Sequence, residues 1–322
     1  MAKLEPLRFE PLFRRYLWGG RRLATQLGKA IGDEDCAESW EIVDHGEAQS
    51  IVRAGALQGK SLNQIVAEQG DALFGRHAPL SQFPLLFKFL DAQRTLSVQV
   101  HPNDAQAAQL DPPDRGKTEV WVILDAEPGS LVYAGLKPGV DRAALQRVIA
   151  DGACEPCLHS FTPRVGDCVF LPAGTVHALG AGLLVAEIQQ ASDTTYRLFD
   201  WNRTDAEGQP RELHIEAGLD VINFDYGAGR PQPSQSTKRH DVERLVECDK
   251  FVLDRWRFDQ PQSIGGDDRF HLLAVLSGSL QIPGDPSREP LGRGQTALLP
   301  ATAGPIELQP QESTVLLDIY LP

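Results

Sequence analysis

One pattern of residues occurs twice in the chain. Residues 120–132 and 163–173 together contain an apolar run, a glycine turn, a second apolar run and a Pro-Ala pair, and residues 270–281 and 291–301 repeat that order. Short apolar runs separated by glycine and proline turns are typical of β-sandwiches and β-barrels. A repeated unit of this kind indicates two copies of one fold. We therefore expect a mainly β protein with two β-barrels and a few short inserted helices.

A segment between the two copies has the composition of a surface linker. Residues 226–238 contain Gly227, Gly229, Pro231 and Pro233 together with several Ser and Thr residues. We therefore expect a first domain at residues 1–228 and a second at residues 240–322. Residues 62–73 and 141–150 have helical spacing, the latter behind an N-terminal Asp. Both are predicted to be helices inserted into the first domain.

Four potential metal ligands occur in the first copy. Gln99 and His101 are two residues apart in an apolar run, so that on a strand both side chains lie on one face. Glu119 begins the next β-rich run, and His177 follows the Pro-Ala-Gly turn after residues 168–171. A histidine in an apolar strand is more often a core residue than a ligand, so it is the joint pattern that predicts a metal site.

The ligand types favour zinc, one ion per chain. Two imidazoles and a carboxylate suit a zinc site that keeps a position for water or substrate. The same set also binds non-haem iron in oxygenases. Gln99, as a fourth protein ligand, leaves less room for the open positions that oxygen chemistry needs. The second copy has residues 302–304 (Thr-Ala-Gly) where the first reaches His177, and we expect it to be a packing partner without a metal.

Composition excludes several other classes of protein. The chain has 322 residues, of which 42% are hydrophobic, and a formal net charge of −13. That charge argues against a nucleic-acid surface, and no apolar run is long enough for a signal peptide or a membrane span. Five cysteines do not suggest a disulfide framework. We expect a cytoplasmic protein in which Cys154 and Cys157 are two ordinary loop thiols, although a redox motif or a small metal site is an alternative.

Several motifs resemble those of the zinc-dependent type I mannose-6-phosphate isomerases, in the short form common in bacteria. The similarity covers nearly the whole chain. The motifs are Leu17-Trp18-Gly19-Gly20, Ala37-Glu38-Ser39-Trp40-Glu41, the run from Phe83 to Lys88, the run from Leu96 to Pro102, Gly116-Lys117-Thr118-Glu119, Pro172-Ala173-Gly174-Thr175-Val176-His177 and Asp193-Thr194-Thr195-Tyr196-Arg197. Long members of the family have Asn-His-Lys-Pro-Glu where this chain has residues 114–119, and a large helical domain where it has only residues 141–150.

The resemblance implies a fold and a reaction. Members are cupin-fold proteins with a degenerate C-terminal barrel, so the chain is expected to be a bicupin that interconverts mannose 6-phosphate and fructose 6-phosphate through an enediol. Such a reaction needs a base, a stabiliser for the developing oxyanion and a grip on the phosphate. The metal is expected to act as a Lewis acid.

The resemblance also assigns residues to these roles. Metal ligands are expected at Gln99, His101, Glu119 and His177, and a catalytic arginine at Arg197. Either Lys117 or Glu187 is expected to be the base, and the sequence does not choose between them. Trp18, Glu38, Lys88 and Ser97 are expected to bind substrate, with Lys88 or Lys117 on the phosphate.

Two other functions are compatible with the same ligands. One is an iron-dependent cupin dioxygenase, and the other is a non-catalytic sugar-binding bicupin. Lys117, Glu187 and Arg197 argue against simple binding, which would not need all three. The expected partner is a small sugar phosphate, without nucleic acid or membrane, and the protein is expected to be a monomer or a weak homodimer.

Overall fold

The structure, a computed structural model, describes residues 3–204 and 208–322. Fifteen strands lie in the first part of the chain. They are β1 (Phe9–Glu10), β2 (Leu12–Arg14), β3 (Glu38–Ile42), β4 (Asp44–His45), β5 (Ala48–Gln49), β6 (Ile51–Val52), β7 (Leu85–Ala92), β8 (Val98–Val100), β9 (Glu119–Ala126), β10 (Val132–Leu136), β11 (Leu158–Phe161), β12 (Cys168–Leu171), β13 (His177–Leu179), β14 (Leu183–Gln190) and β15 (Tyr196–Phe199).

Two antiparallel sheets dominate this first part. A six-stranded sheet has the order β12-β9-β14-β7-β3-β2, and a five-stranded sheet has the order β11-β10-β13-β8-β15. Buried side chains from both sheets, including Trp121, Val185 and Leu179, form one apolar cluster between them. The facing sides of these two sheets therefore enclose an interior, and the site described below lies at one end of it.

The rest of the chain forms a second pair of sheets. Its strands are β16 (Gln235–Ser236), β17 (Val242–Glu247), β18 (Val252–Phe258), β19 (Gln262–Ile264), β20 (His271–Ser277), β21 (Ser279–Gln281), β22 (Leu291–Gly292), β23 (Thr296–Leu299), β24 (Ile306–Pro310) and β25 (Thr314–Tyr320). They form sheets of order β16-β17-β18-β25-β20-β23 and β19-β24-β21-β22. The repeated sequence pattern corresponds to a repeated pairing, because β12 pairs with β9 and β23 pairs with β20. The prediction of a mainly β fold is confirmed.

The two six-stranded sheets pack against each other. Their outward-facing side chains, such as Phe87 and Ile188 from the first and Leu272 and Leu317 from the second, belong to one large apolar cluster. The N-terminal segment also crosses between the units, since the backbone of Leu7 bonds in both directions to Leu298. The division into domains at residues 228 and 240 stays a prediction.

The described residues also form five α-helices, namely α1 (Arg22–Thr25), α2 (Leu62–Phe74), α3 (Asp104–Ala107), α4 (Arg142–Ala150) and α5 (Ile215–Val221), and three single-turn 3-10 helices at Gly75–His77, Glu155–Cys157 and Ala301–Ala303. The two predicted helices are α2 and α4. Helix α2 begins with a capping box in which Ser61 and Gln64 satisfy each other's backbone N–H groups, and Asp141 caps α4. Among residues 3–204 and 208–322, no helix has the length and hydropathy of a membrane span.

The predicted linker is only partly a linker. Most of residues 226–238 are exposed, as expected. However, β16 lies within this segment and pairs with β17, and the backbone N–H of Gln232 bonds to Cys168 O at 2.7 Å. The segment is therefore attached to both pairs of sheets, which its Gly, Pro and Ser composition did not indicate.

Candidate metal centre and active site

Strand β8 carries part of the site into the interior. Val98 and Val100 pack in the apolar cluster on the outer face of the five-stranded sheet, so Gln99 and His101 project inward by strand alternation. Gln99 lies between two neighbouring strands, opposite His177 on β13 and opposite Arg197 on β15. Residues directly opposite in antiparallel strands share a face. Three residues that are far apart in sequence therefore form one row.

Glu119 reaches the same place from the other sheet. One ligand atom from each of His101, Glu119 and His177 lies within 4.8 Å of the others, and all three residues are buried. The turn before His177 needs Gly174, whose φ of +89° favours glycine. Gly174 N–H donates to His101 O at 2.8 Å, which holds the His177 strand against the end of β8.

Both imidazoles present Nε2 to the centre of this cluster. Nδ1 of His101 lies 3.0 Å from Thr194 O, and Nδ1 of His177 lies 2.9 Å from Thr175 O. Because a carbonyl oxygen only accepts, each Nδ1 carries a proton, and in the neutral ring Nε2 keeps its lone pair. Lys117 Nζ donates to His101 Nε2 at 3.1 Å, in agreement with this tautomer. Burial, assisted by the Lys117 ammonium, lowers the pKa of His101 to about 3, so the ring is neutral.

Glu119 supplies a buried negative charge, and Lys117 Nζ lies 3.4 Å from its Oε2. Its Oε1 lies 3.1 Å from His177 Nε2, and its Oε2 lies 3.4 Å from His101 Nε2. Within the described part of the chain, neither oxygen receives a hydrogen bond, and His177 Nε2 has no partner either. Burial would raise the pKa of Glu119, but Lys117 holds that pKa well below its usual value. Nitrogen lone pairs that face a buried carboxylate fit a bound cation. In zinc sites, too, the ring nitrogen that does not bind the metal usually donates to a carbonyl or carboxylate oxygen.

A row of charged side chains crosses the inner face of the six-stranded sheet. Lys88 lies opposite Glu187 on β14 and opposite Trp40 on β3. Lys88 Nζ is 3.2 Å from Glu187 Oε1 and 3.6 Å from Glu38 Oε2. Burial lowers the pKa of Lys88, but Glu187 and Glu38 outweigh it and raise that pKa overall, so the amine is charged at neutral pH.

Glu187 is held as a proton acceptor within this row. Trp121 Nε1 donates to its Oε2 at 3.1 Å, which fixes the carboxylate. Burial raises the pKa of Glu187 to about 7, against the opposing effect of Lys88. A carboxylate with a pKa near neutrality can take and return a proton at physiological pH.

Arg197 is a cation with free donors. Its Nη1 donates to Glu212 O at 2.7 Å, and its buried Nε has no partner among residues 3–204 and 208–322. Asp200, the nearest charged partner by sequence, is already paired with Arg203 and Arg211. The surface salt bridge that many arginines form is therefore not present at Arg197 in the described residues. Its remaining donors can bind an oxyanion.

The N-terminal Trp-Gly-Gly element is built into the same unit. Trp18 is buried in the interior apolar cluster and stacks on Tyr16, with ring centroids 5.7 Å apart. A Cβ at Gly19 would lie 2.5 Å from Ala37 N, so only glycine fits against the start of β3. Arg22, two residues after this element, attaches it to β7, since its backbone N–H and its side chain both donate to Asp91.

Comparisons with known proteins identify the family. Residues 7–124 match the family model for the catalytic domain of type I phosphomannose isomerase. The mannose-6-phosphate isomerase ManA of Bacillus subtilis is 35% identical over 312 residues, which is 95% of this chain and 96% of that protein. A Streptococcus mutans mannose-6-phosphate isomerase is 34% identical over 92% of this chain and 93% of that protein. The chain belongs to the type I phosphomannose isomerases.

The solved structures agree with this membership. A crystal structure of the Bacillus subtilis enzyme superposes with a TM-score of 0.90 at 29% identity, covering 99% of this chain and 100% of that one. A mannose 6-phosphate isomerase bound with zinc and yttrium shares the fold at a TM-score of 0.75 and 18% identity, covering 99% of this chain and 100% of that one. The predictions of the family and of an isomerase enzyme are confirmed.

Most predicted site residues of this phosphomannose isomerase lie on the two facing inner surfaces. His101, Glu119, His177 and Lys117 meet, as do Lys88, Glu187 and Glu38. Gln99 and Arg197 lie in the row beside His177, and Ser97 is buried two residues before Gln99. Trp18 is buried in the apolar cluster of this interior. The assigned roles of these residues stay predictions.

The sequence motifs did not indicate several residues that support the site. Trp121 fixes Glu187, and the carbonyls of Thr194 and Thr175 set the tautomers of the two histidines. Gln189, two residues after Glu187 on β14, lies opposite Glu119. Strand alternation from Glu187 is a signal that could have identified Gln189, whereas the carbonyl contacts leave no trace in residue types.

Proposed function

We propose that the protein interconverts mannose 6-phosphate and fructose 6-phosphate with one zinc ion per chain. The observation that carries this proposal is the buried cluster of two imidazole Nε2 atoms and the Glu119 carboxylate, whose oxygens receive no hydrogen bond from the described residues, beside a second carboxylate of raised pKa. The relatives named mannose-6-phosphate isomerase over nearly their whole length support the substrate. Zinc is bound in one neighbour of the same fold.

The metal would be held by Gln99, His101, Glu119 and His177. The donors are two nitrogens and two oxygens, a set that suits a borderline divalent ion. Bound there, the ion would supply Lewis acidity for the carbonyl and enediolate oxygens of the sugar. With Glu119 as the sole anionic ligand, the site would keep a net positive charge.

Glu187 is our choice for the base that moves the proton between C1 and C2. Its carboxylate is fixed by Trp121 and has a pKa of about 7. Lys88 beside it stays protonated and would stabilise the ionised base or hold a substrate oxygen. Lys117 is the second choice, because its Nζ donates to His101 Nε2 and is thereby tied to a proposed metal ligand.

The remaining residues would bind the substrate. Arg197 carries free guanidinium donors next to Gln99, and these suit the phosphate or the enediolate. We assign Trp18, Glu38, Lys88 and Ser97 to the walls of the sugar site. In this proposal, residues 1–228 form the catalytic unit and residues 240–322 form a degenerate unit that packs behind it. A cytoplasmic location and a monomeric or weakly dimeric state stay predictions.

The test combines metal analysis with a rate measurement. Protein purified without added metal is analysed for zinc and iron, then loaded with zinc and incubated with mannose 6-phosphate while fructose 6-phosphate is followed. We expect bound zinc and turnover. His101→Ala should lose both metal and turnover, because an Nε2 ligand disappears, whereas Arg197→Ala should lose turnover and keep zinc. Iron as the native metal with oxygen uptake, or zinc without turnover, would contradict the proposal.

A further inference from the structure

Gln189 adjoins the candidate metal ligands on the same inner face, and the sequence motifs assigned it no role. It is on β14 with an exposed fraction of 1%, between Glu119 on β9 and Leu86 on β7. Residues directly opposite on neighbouring strands have Cβ atoms about 5 Å apart. Gln189 also shares its face with Glu187, about 7 Å away along the strand. It is therefore a direct neighbour of both the proposed base and a proposed metal ligand.

The orientation of the Gln189 amide is fixed. Its Nε2 donates to Gln190 O at 3.0 Å and to Ser192 O at 2.6 Å. Both partners are carbonyls, which only accept, so a flipped amide would place its own oxygen against two oxygens. Its Oε1 is buried and receives no hydrogen bond from any residue that the structure describes. The side chain is thus a rigid acceptor with no further donor of its own.

A buried acceptor without a donor is rare in proteins and costly to stability. The cross-strand neighbours of Gln189 do not provide a donor, because no hydrogen bond joins its Oε1 to the Glu119 carboxylate and Leu86 is apolar. A molecule that occupies the site can supply the missing donor. A sugar phosphate carries several hydroxyl groups, each of which can donate.

We propose that Gln189 Oε1 accepts a hydrogen bond from a hydroxyl of the bound sugar phosphate and thereby orients the sugar between Glu187 and the metal ligands. This inference rests on the proposed function, since it takes its ligand class from it. A pure acceptor binds a hydroxyl but repels a carbonyl oxygen. The hydroxyl it holds is therefore on a carbon outside the C1–C2 pair, where it stays a hydroxyl in both isomers.

The test removes the acceptor and the hydroxyl separately and together. Gln189→Met keeps the length of the side chain but removes the whole amide, namely the Oε1 acceptor together with the Nε2 donors to Gln190 O and Ser192 O. We expect its kcat/KM for mannose 6-phosphate to fall about 10- to 100-fold with zinc content unchanged. The unsubstituted enzyme should lose about tenfold or more on either the 3-deoxy or the 4-deoxy analogue of the substrate. Gln189→Met should lose little more on that same analogue, because the pair of groups is already broken.

Gln190→Met is the matched control. Gln190 is the next residue on the same strand, but its amide is fully paired, accepting from Thr118 N–H and donating to Asp104 Oδ1. We expect its kcat/KM to stay within about threefold of the unsubstituted value, whatever it costs in stability. A Gln189→Met enzyme as active as the original, equal further losses on both analogues, or a loss of zinc would overturn the inference. Absence of turnover in the unsubstituted, zinc-loaded protein would instead refute the proposed function.

Discussion

Glu187 and Lys88 face each other across two strands, and their protonation states decide which of them can act as a base. Burial raises the pKa of Glu187 to about 7. The carboxylates of Glu187 and Glu38 raise the pKa of Lys88, which therefore stays charged. Only the ionised form of Glu187 can accept a proton. We therefore expect kcat/KM of the zinc-loaded enzyme to fall as the pH drops through about 7, approaching tenfold per pH unit on the acid side.

Substitution of Glu187 tests this assignment. Glu187→Gln can still accept from Trp121 Nε1 but cannot take the proton, so kcat should fall about 10²- to 10⁴-fold and the acid limb near pH 7 should disappear. The measurement is the initial rate between pH 5 and 9 at constant zinc content. Glu47→Gln, which changes an exposed carboxylate in the β4–β5 turn, should leave the profile unchanged. If the Glu187→Gln enzyme were active and its rate fell in the same way below pH 7, the base would have to be reassigned to Lys117.

Residue types alone predicted the ligand set, because Gln, His, Glu and His have few reasons to occur together on apolar strands. The sequence could not choose between Lys117 and Glu187. That choice depends on Trp121, Lys88 and Glu38, which come from three different strands and act only through distance and burial. The order of residues in the sequence gives neither the distances between these side chains nor their burial.

At the scale of elements, the segment between β14 and β15 connects a surface loop to the candidate metal centre. Asp114 Oδ2 accepts from Ser192 Oγ at 2.8 Å and from Thr194 Oγ1 at 2.6 Å. Thr194 O in turn accepts from His101 Nδ1. Asp114→Ala should release this segment and weaken the orientation of His101, lowering zinc affinity about 10- to 100-fold.

Competition with a chromophoric chelator measures this affinity. Asp111→Ala is the control, since Asp111 is exposed on the same loop, and zinc should bind this variant as it binds the original protein. Equal affinities for Asp114→Ala and Asp111→Ala would show that the 192–194 segment does not position His101.

Strand alternation predicted that Gln99 and His101 share a face, and the helices α2 and α4 were recognisable from their spacing and caps. The neighbours of β8 were not predictable, because β13 and β15 follow it by many residues and antiparallel pairing has no local signal. The row of His177, Gln99 and Arg197 therefore emerges only from the register of the sheet.

At the scale of the whole molecule, the repeated sequence pattern predicted two similar units but not how they pack against each other. Three aromatic rings lie at the contact, Phe74 and Phe83 from the first unit and Phe270 from the second. The ring centroids of Phe83 and Phe270 are 4.9 Å apart, and those of Phe74 and Phe270 are 6.1 Å apart. All three side chains are fully buried, so the units share a core and are expected to unfold together.

Phe270→Ala tests this shared core. Removing a buried phenyl ring should lower the free energy of unfolding by about 3–5 kcal/mol, through lost burial and the cavity that remains. Because the ring contacts both units, one cooperative transition should shift to lower denaturant with a nearly unchanged slope. Urea unfolding, followed by fluorescence and by zinc release, measures the free energy of unfolding and shows whether there is one transition. Val165→Ala, at an exposed position, should cost less than about 0.5 kcal/mol. Two separate transitions, with zinc release unaffected by Phe270→Ala, would mean that the catalytic unit folds without the second one.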